Sequence, residues 1–260
     1  AVGIPYPDVN KTLQRKLNEG LLVLDYVGHG GTEALSDEKV ITHNDILGYK
    51  YEHLPLWITT TCDFCRFDDI QTSAGEDVFL NKKSGGIALF TTSRVSFTDI
   101  NRIVNNDLIS GLFVNEGYKN NSLGDIIKSM KRNTTDGRKL GFCLIGDPAL
   151  RLSYPQYNVS ITSINEKPVG DSVVQFKAFE KVTISGYIQD ALGNTQDDFS
   201  GQLDVQIFDG KTDVTTQGNN GNKYYYEDYV NVIYKGGTTV SNGRFKLSFV
   251  VPKDISYTTT

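Results

Sequence analysis

Cysteine is scarce in this sequence. Only Cys62, Cys65 and Cys143 occur among 260 residues, an odd and sparse set that excludes a disulfide framework. No apolar run approaches the roughly 20 residues that span a bilayer. The runs "LPLWITTTC" and "GGIALFTTS" have the length of buried strands instead. No cluster of Lys and Arg stands out and the formal net charge is -5, which argues against nucleic acid as a partner. There is no internal repeat, no second C-x-x-C and no paired-His spacing. A zinc site at Cys62 and Cys65 would therefore lack two ligands.

What is present is enough for a core. Hydrophobic residues make up 38% and charged residues 22%, so general disorder is not expected. The length suits two domains. The chain begins "AVGIPYPDVN" and ends "DISYTTT", and both ends read as cuts from a longer protein, so compartment is not legible from a leader. Near residue 155 the character changes. Before it, apolar runs alternate with helical segments. After it, β-branched and aromatic alternation is broken by Gly, Asn and Asp.

In the first part, "DVNKTLQRKLNEG" predicts a helix capped by Asp8 or Asn10 and stopped by Gly20. "LLVLDYV", "HLPLWITTT" and "GGIALFTTSR" predict three buried strands, and "LGFCLIGDPALRL" a further short one. Between them, "SAGEDVFLNKK" (with Ser73 as cap), "INRIVNNDLISGLFVNEG" and "SLGDIIKSMKRNT" carry helical periodicity. Strands alternating with helices imply a mostly parallel sheet flanked by helices. In the second part, "YNVSITSI", "FEKVTISGYIQD", "GQLDVQIFD", "DYVNVIYKG" and "GRFKLSFVV" predict strands of an antiparallel, immunoglobulin-like sandwich, with "TTQGNNGNKYYYED" as a polar loop. The expected domains are thus 1–154, α/β, and 155–260, all-β.

In an open parallel sheet, functional groups gather beyond the carboxyl ends of the strands. His29 follows "LLVLDYVG" and Cys62 follows "LPLWITTT", 33 residues later. Neighbouring strands would bring imidazole and thiol together above one sheet edge. The imidazole raises the reactive fraction of the thiol and later protonates the leaving amine. Gly28, Gly30 and Gly31 flank His29, and the backbone amides of Gly30 and Cys62 are the candidate oxyanion donors. Taken singly, a His among glycines is a turn residue and a Cys at a strand end is a small apolar group. The two together, at successive strand ends, favour the catalytic reading. His43 and His53 are expected away from this rim, and Cys143 in "GFCLIG" reads as a packing residue.

The stretches "LVLDYVGHGG", "TTTCDFCRFDD", "SAGEDVFLNKKSGGIALFTTSRVSF" and "LIGDPALRL" resemble the gingipain-type cysteine peptidases, a branch of the caspase-like clan. Within it they resemble the sortases, or C-terminal signal peptidases, of the type IX secretion system. The resemblance extends to "KVTISGYIQDALGNTQDDFSGQLDVQIFD" and "NGRFKLSFVVPKDISY". It implies a caspase-like fold with further strands upstream of Ala1, a His29–Cys62 dyad, and Cys65 as a bystander at a position where the pattern has a small residue. Glu33 is then placed as an orienter of His29 and Arg94 as a cleft-facing group. The resemblance further implies secreted cargo cut ahead of its C-terminal sorting domain, an amine on anionic lipopolysaccharide as acceptor besides water, an outer-membrane β-barrel partner, and a site at the cell surface of a Gram-negative bacterium. No cofactor and no metal are implied.

Two other classes compete. A thioredoxin-like redox pair would leave "GHGG" unexplained, and C-D-F-C lacks the small residue or proline of such turns. A non-catalytic caspase-like scaffold or adhesion module is the alternative. The presence of both dyad members weighs against it.

Overall fold

A computed structural model describes residues 7–113, 121–170, 174–218 and 221–255. The chain divides into two compact units, Ala1–Tyr154 and Pro155–Thr260.

The first unit opens with α1 (Pro7–Glu19), whose Leu17 is buried, and Gly20 ends it at φ +95°. Its amide closes on the Lys16 and Leu17 carbonyls. The left-handed φ is why glycine stands there. Asn10 is no cap: its Nδ2 donates to the Val40 carbonyl and the Tyr49 hydroxyl. Strand β1 (Val23–Val27) follows, then a short ribbon of β2 (Ala34–Leu35) and β3 (Ile41–Thr42) that leads directly into α2 (His43–Gly48). Strand β4 (Leu56–Thr60), α3 (Ala74–Leu80), β5 (Ala88–Thr92), α4 (Thr98–Phe113), α5 (Leu123–Asn133), a 3-10 turn (Gly137–Gly141) and β6 (Phe142–Ile145) complete it. The end of the predicted "INRIVNNDLISGLFVNEG" helix, residues 114–117, lies outside the described residues.

Four strands form one sheet in the order β1-β4-β5-β6. The first three are parallel and β6 runs antiparallel to β5. Every residue of β4 and β5 is buried. Alternate side chains serve opposite faces. Trp57 and Leu89 join Leu17, Phe64, Cys65 and Val78 on one side. Leu56, Ile58, Ala88 and Phe90 join Ile100, Leu108, Ile126 and Phe142 on the other. Helices cover both faces, which is why these strands read as continuous apolar runs.

Among the described residues, the regular elements of the second unit are all strands. They are β7 (Asn158–Ile164), β8 (Lys167–Pro168), β9 (Lys181–Gln189), β10 (Gly201–Phe208), β11 (Thr212–Thr215), β12 (Tyr225–Asp228), β13 (Val232–Val240) and β14 (Arg244–Val250). A four-stranded antiparallel sheet runs β14-β9-β7-β8, and β10 pairs with β13. Val182, Ile184, Phe245 and Phe249 of the first sheet share one apolar cluster with Leu203, Ile207 and Tyr234 of the second. The period-2 burial of β9 and β14 reflects a single covered face. Part of the predicted polar loop is a strand, since Tyr225–Asp228 pairs with Thr212–Thr215. Residues 219–220 of that loop lie outside the described residues.

Candidate active site

Strands β1 and β4 are hydrogen-bonded neighbours, with Val27 opposite Thr60 at their carboxyl ends. Positions 27 and 60 are 33 apart, as are 29 and 62. The register therefore carries the chain to His29 on one strand and Cys62 on the next at equal distances beyond the ladder. Buried threonines fix these ends. Thr59 and Thr91 share a hydroxyl hydrogen bond, the Thr60 hydroxyl donates to the Tyr26 carbonyl, and the Thr92 hydroxyl donates to the Thr61 carbonyl. A hydroxyl buried in a sheet interior needs such a partner. These partners tie the tips of β1, β4 and β5 together.

Cys62 is half-buried. Its thiol donates to the Ser96 carbonyl at 3.2 Å and accepts from the Ser96 amide at 3.4 Å. The Ser96 hydroxyl in turn donates to Asn101 Oδ1 in α4 at 2.5 Å, and Asn101 is buried. Sequence reading missed Ser96. It lies just beyond the end of β5, the third strand end on the same rim, and that position is the signal that could have found it.

His29 presents an exposed ring that bonds to no group among the described residues. Its backbone carbonyl is held twice, by the Ser36 amide at 2.8 Å and the Tyr26 hydroxyl at 2.6 Å. Burial, with Glu38 and Asp37 nearby, pushes the Tyr26 phenol up to about 12, so it stays a donor. Gly30 lies against the residue before Cys62, and a Cβ there would come within 2.5 Å of Thr61 Oγ1. That close approach requires glycine at this position. Thr61 Oγ1 is itself buried without a partner. The amides of Gly30 and Cys62 donate to no other group among the described residues. The Gly31 amide closes the loop onto the Ala34 carbonyl.

The remaining residues sort plainly. Arg94 forks onto Asp68, with nitrogen–oxygen distances of 3.0 and 2.7 Å, and also donates to the Ser93 carbonyl. Its guanidinium ties the segment after Cys65 to the end of β5. Glu33 is exposed, and its carboxylate is close enough to Asp77 to raise that group's pKa. Cys65 is fully buried in the core, and burial pushes its thiol up to about 12. Burial raises the Cys143 thiol too. His53 packs beside Gly20. His43 differs from expectation: its amide donates to the Glu33 carbonyl at 2.8 Å, so it stands beside the loop that carries His29. The short β2–β3 ribbon, too brief to show periodicity, turns the chain back to place it there. Among the described residues no group of three or more His, Cys, Asp or Glu could hold a metal ion, and no helix is long and apolar enough to cross a membrane.

A thiol and an imidazole that follow adjacent strand ends, with the Gly30 and Cys62 amides uncommitted among the described residues, suit acyl transfer from a peptide carbonyl. The model of peptidase family C25 matches residues 1–153. No curated protein matches the chain. Among solved structures, dimeric latent PorU from Porphyromonas gingivalis is 29% identical over 68% of this chain and 17% of that one, with a TM-score of 0.40. The Arg-specific cysteine proteinase gingipain R is 12% identical over 97% of this chain and 50% of that one, with a TM-score of 0.51, and shows the shared fold. The complex of pro- and mature domains of RgpB from Porphyromonas gingivalis is 13% identical over 97% and 52%, with a TM-score of 0.49. The chain thus spans about half the length of the gingipain chains and 17% of the PorU chain.

Proposed function

The chain belongs to peptidase family C25, a family of cysteine peptidases, and we propose that Cys62 is its nucleophile and His29 its general acid/base. The observation that carries this reading is the β1–β4 register, which sets both residues two positions beyond paired strand ends. His29 takes the Cys62 proton as sulfur attacks the scissile carbonyl carbon. The carbonyl oxygen gains the negative charge beside the Gly30 and Cys62 amides. Collapse breaks the C–N bond, and the amine leaves with the proton from His29. A thioester remains on Cys62. Water, or the amine of another molecule, then attacks it, gives its proton to His29, and restores the thiol.

The substrate in this reading is secreted cargo of the type IX secretion system, cut ahead of its C-terminal sorting domain. An amine on anionic lipopolysaccharide competes with water for the thioester. The enzyme works at the cell surface of a Gram-negative bacterium with an outer-membrane β-barrel partner, and unit 155–260 serves as an immunoglobulin-like domain. The gingipain-like motifs and the family match support this reading; Arg94 and Glu33 have lesser roles in it. Arg94 braces the rim through Asp68, and Glu33 belongs to the loop that aims His29.

Cells expressing the full-length protein with Cys62→Ala or Cys65→Ala test it through cargo maturation. Cys62→Ala should leave cargo unprocessed, and Cys65→Ala should process it. Retained processing by Cys62→Ala refutes the nucleophile. Processing with no lipopolysaccharide-linked product refutes the transfer step alone.

A further inference from the structure

We propose that the His43–Asp77 pair is a positioning device for the His29 loop. The inference rests on the His29–Cys62 reading above. His43 Nδ1 and Asp77 Oδ2 approach to 2.5 Å, with the two side chains 28% and 13% exposed. Both atoms are shielded from solvent, and neither meets another hydrogen-bonding group. Their approach is a close imidazole–carboxylate contact rather than an in-line hydrogen bond. His43 is the first residue of α2, and Asp77 lies within α3.

These helices hold the loop that follows His29. The Ala74 amide, first in α3, donates to the Thr32 carbonyl at 2.7 Å, and the His43 amide, first in α2, donates to the Glu33 carbonyl at 2.8 Å. Two successive loop carbonyls are thus gripped by the leading amides of two helices. The imidazole–carboxylate contact fixes how far apart those two grips stand. His43 contributes at both levels, with its amide on the loop and its ring on Asp77.

His29 depends on its loop because, among the described residues, its ring has no hydrogen-bond partner. Its direction is inherited from the loop backbone, which the Tyr26 and Ser36 bonds hold at the His29 carbonyl and the two helix grips hold at Thr32 and Glu33. Electrostatics favour keeping the pair closed. Burial raises the Asp77 carboxyl, the His43 charge opposes that rise, and Glu76 and Glu33 add to it. Half-buried ion pairs contribute little net stability, so orientation of the loop is the better account of this one.

The test is the pH dependence of Cys62 alkylation by iodoacetamide in the folded chain, read by peptide mass, with a thermal melt for each variant. His29→Ala supplies the reference and should move the profile up toward that of a free thiol, about pH 8.5. His43→Gln and Asp77→Asn should each move it in the same direction, with alkylation at pH 6 slowed about tenfold. The double variant should be no slower than either single one. Asp77→Glu keeps the charge and should retain most of the parent profile, and it serves in place of Asp77→Asn should that variant not fold. The positioning role is refuted if His29→Ala shifts the profile while His43→Gln and Asp77→Asn leave it in place, whatever their melting temperatures. If His29→Ala itself shifts nothing, the dyad reading fails and this inference fails with it.

Discussion

The rim above β4 and the floor beneath it hold one thiol each, three residues apart. On the rim, Cys62 has just left the ladder, is half-buried, and hydrogen-bonds the Ser96 backbone. On the floor, Cys65 has turned back into the core with Phe64 and Val78, and its amide is fixed to the Thr92 carbonyl. Gly75 makes that return possible, since a Cβ there would lie 2.6 Å from the Cys65 Cβ. Asp63, at φ +49°, is where the chain reverses. Neighbouring cysteines therefore meet different fates. Chemistry needs a thiol that substrate can reach, and of these two only Cys62 is not fully buried.

The sharpest way to break the contrast is to remove each thiol. Cys62→Ser should reduce peptide cleavage by the full-length protein at least about 10³-fold, because an alkoxide is far harder to form than a thiolate. Cys65→Ala should leave turnover within a few-fold. Next comes the floor of the oxyanion region. Gly30→Val would drive a side chain into Thr61 and displace the Gly30 amide, which should cost about 10²–10³ in kcat.

Stability separates the two thiols in the opposite sense. Gly75→Ala crowds Cys65 and the Phe64 carbonyl, and denaturant unfolding should show a loss of about 1–3 kcal/mol. Cys65 also makes stability depend on pH. Its folded thiol is pushed from 9.0 up to about 12. The unfolded chain ionises first, so relative to Cys65→Ala the parent should hold its stability below pH 9.0 and lose it as pH rises toward about 12. The smallest effect belongs to Arg94→Ala. Its pair with Asp68 is exposed on both sides, and the melting temperature should hardly move.

Much of this contrast was legible in the sequence. "LPLWITTT" and "IALFTT" announced strands covered on both faces, whereas "LLVLDYV" reads the same way but forms β1, in which only Leu24 is buried; the spacing from His29 to Cys62 equals the β1–β4 register. What was hidden depends on packing rather than pattern. Ser96 lies in an irregular stretch with no period to mark it. The β2–β3 ribbon has two residues per strand, too few to alternate, so the placement of His43 beside the His29 loop left no trace. The Arg94–Asp68 pair left no trace because the two residues are 26 apart in sequence. The threonines of "TTTC" read as ordinary strand formers. Their hydroxyl bonds between strand tips exist only once three strands are side by side.

The most direct measurement is the order in which the three cysteines of the folded chain react with limiting iodoacetamide at neutral pH, mapped by peptide mass. The account predicts that the first equivalent goes to Cys62, and that the buried Cys65 is labelled only after denaturation. First labelling at Cys65 or Cys143, or equal labelling of all three, would contradict it.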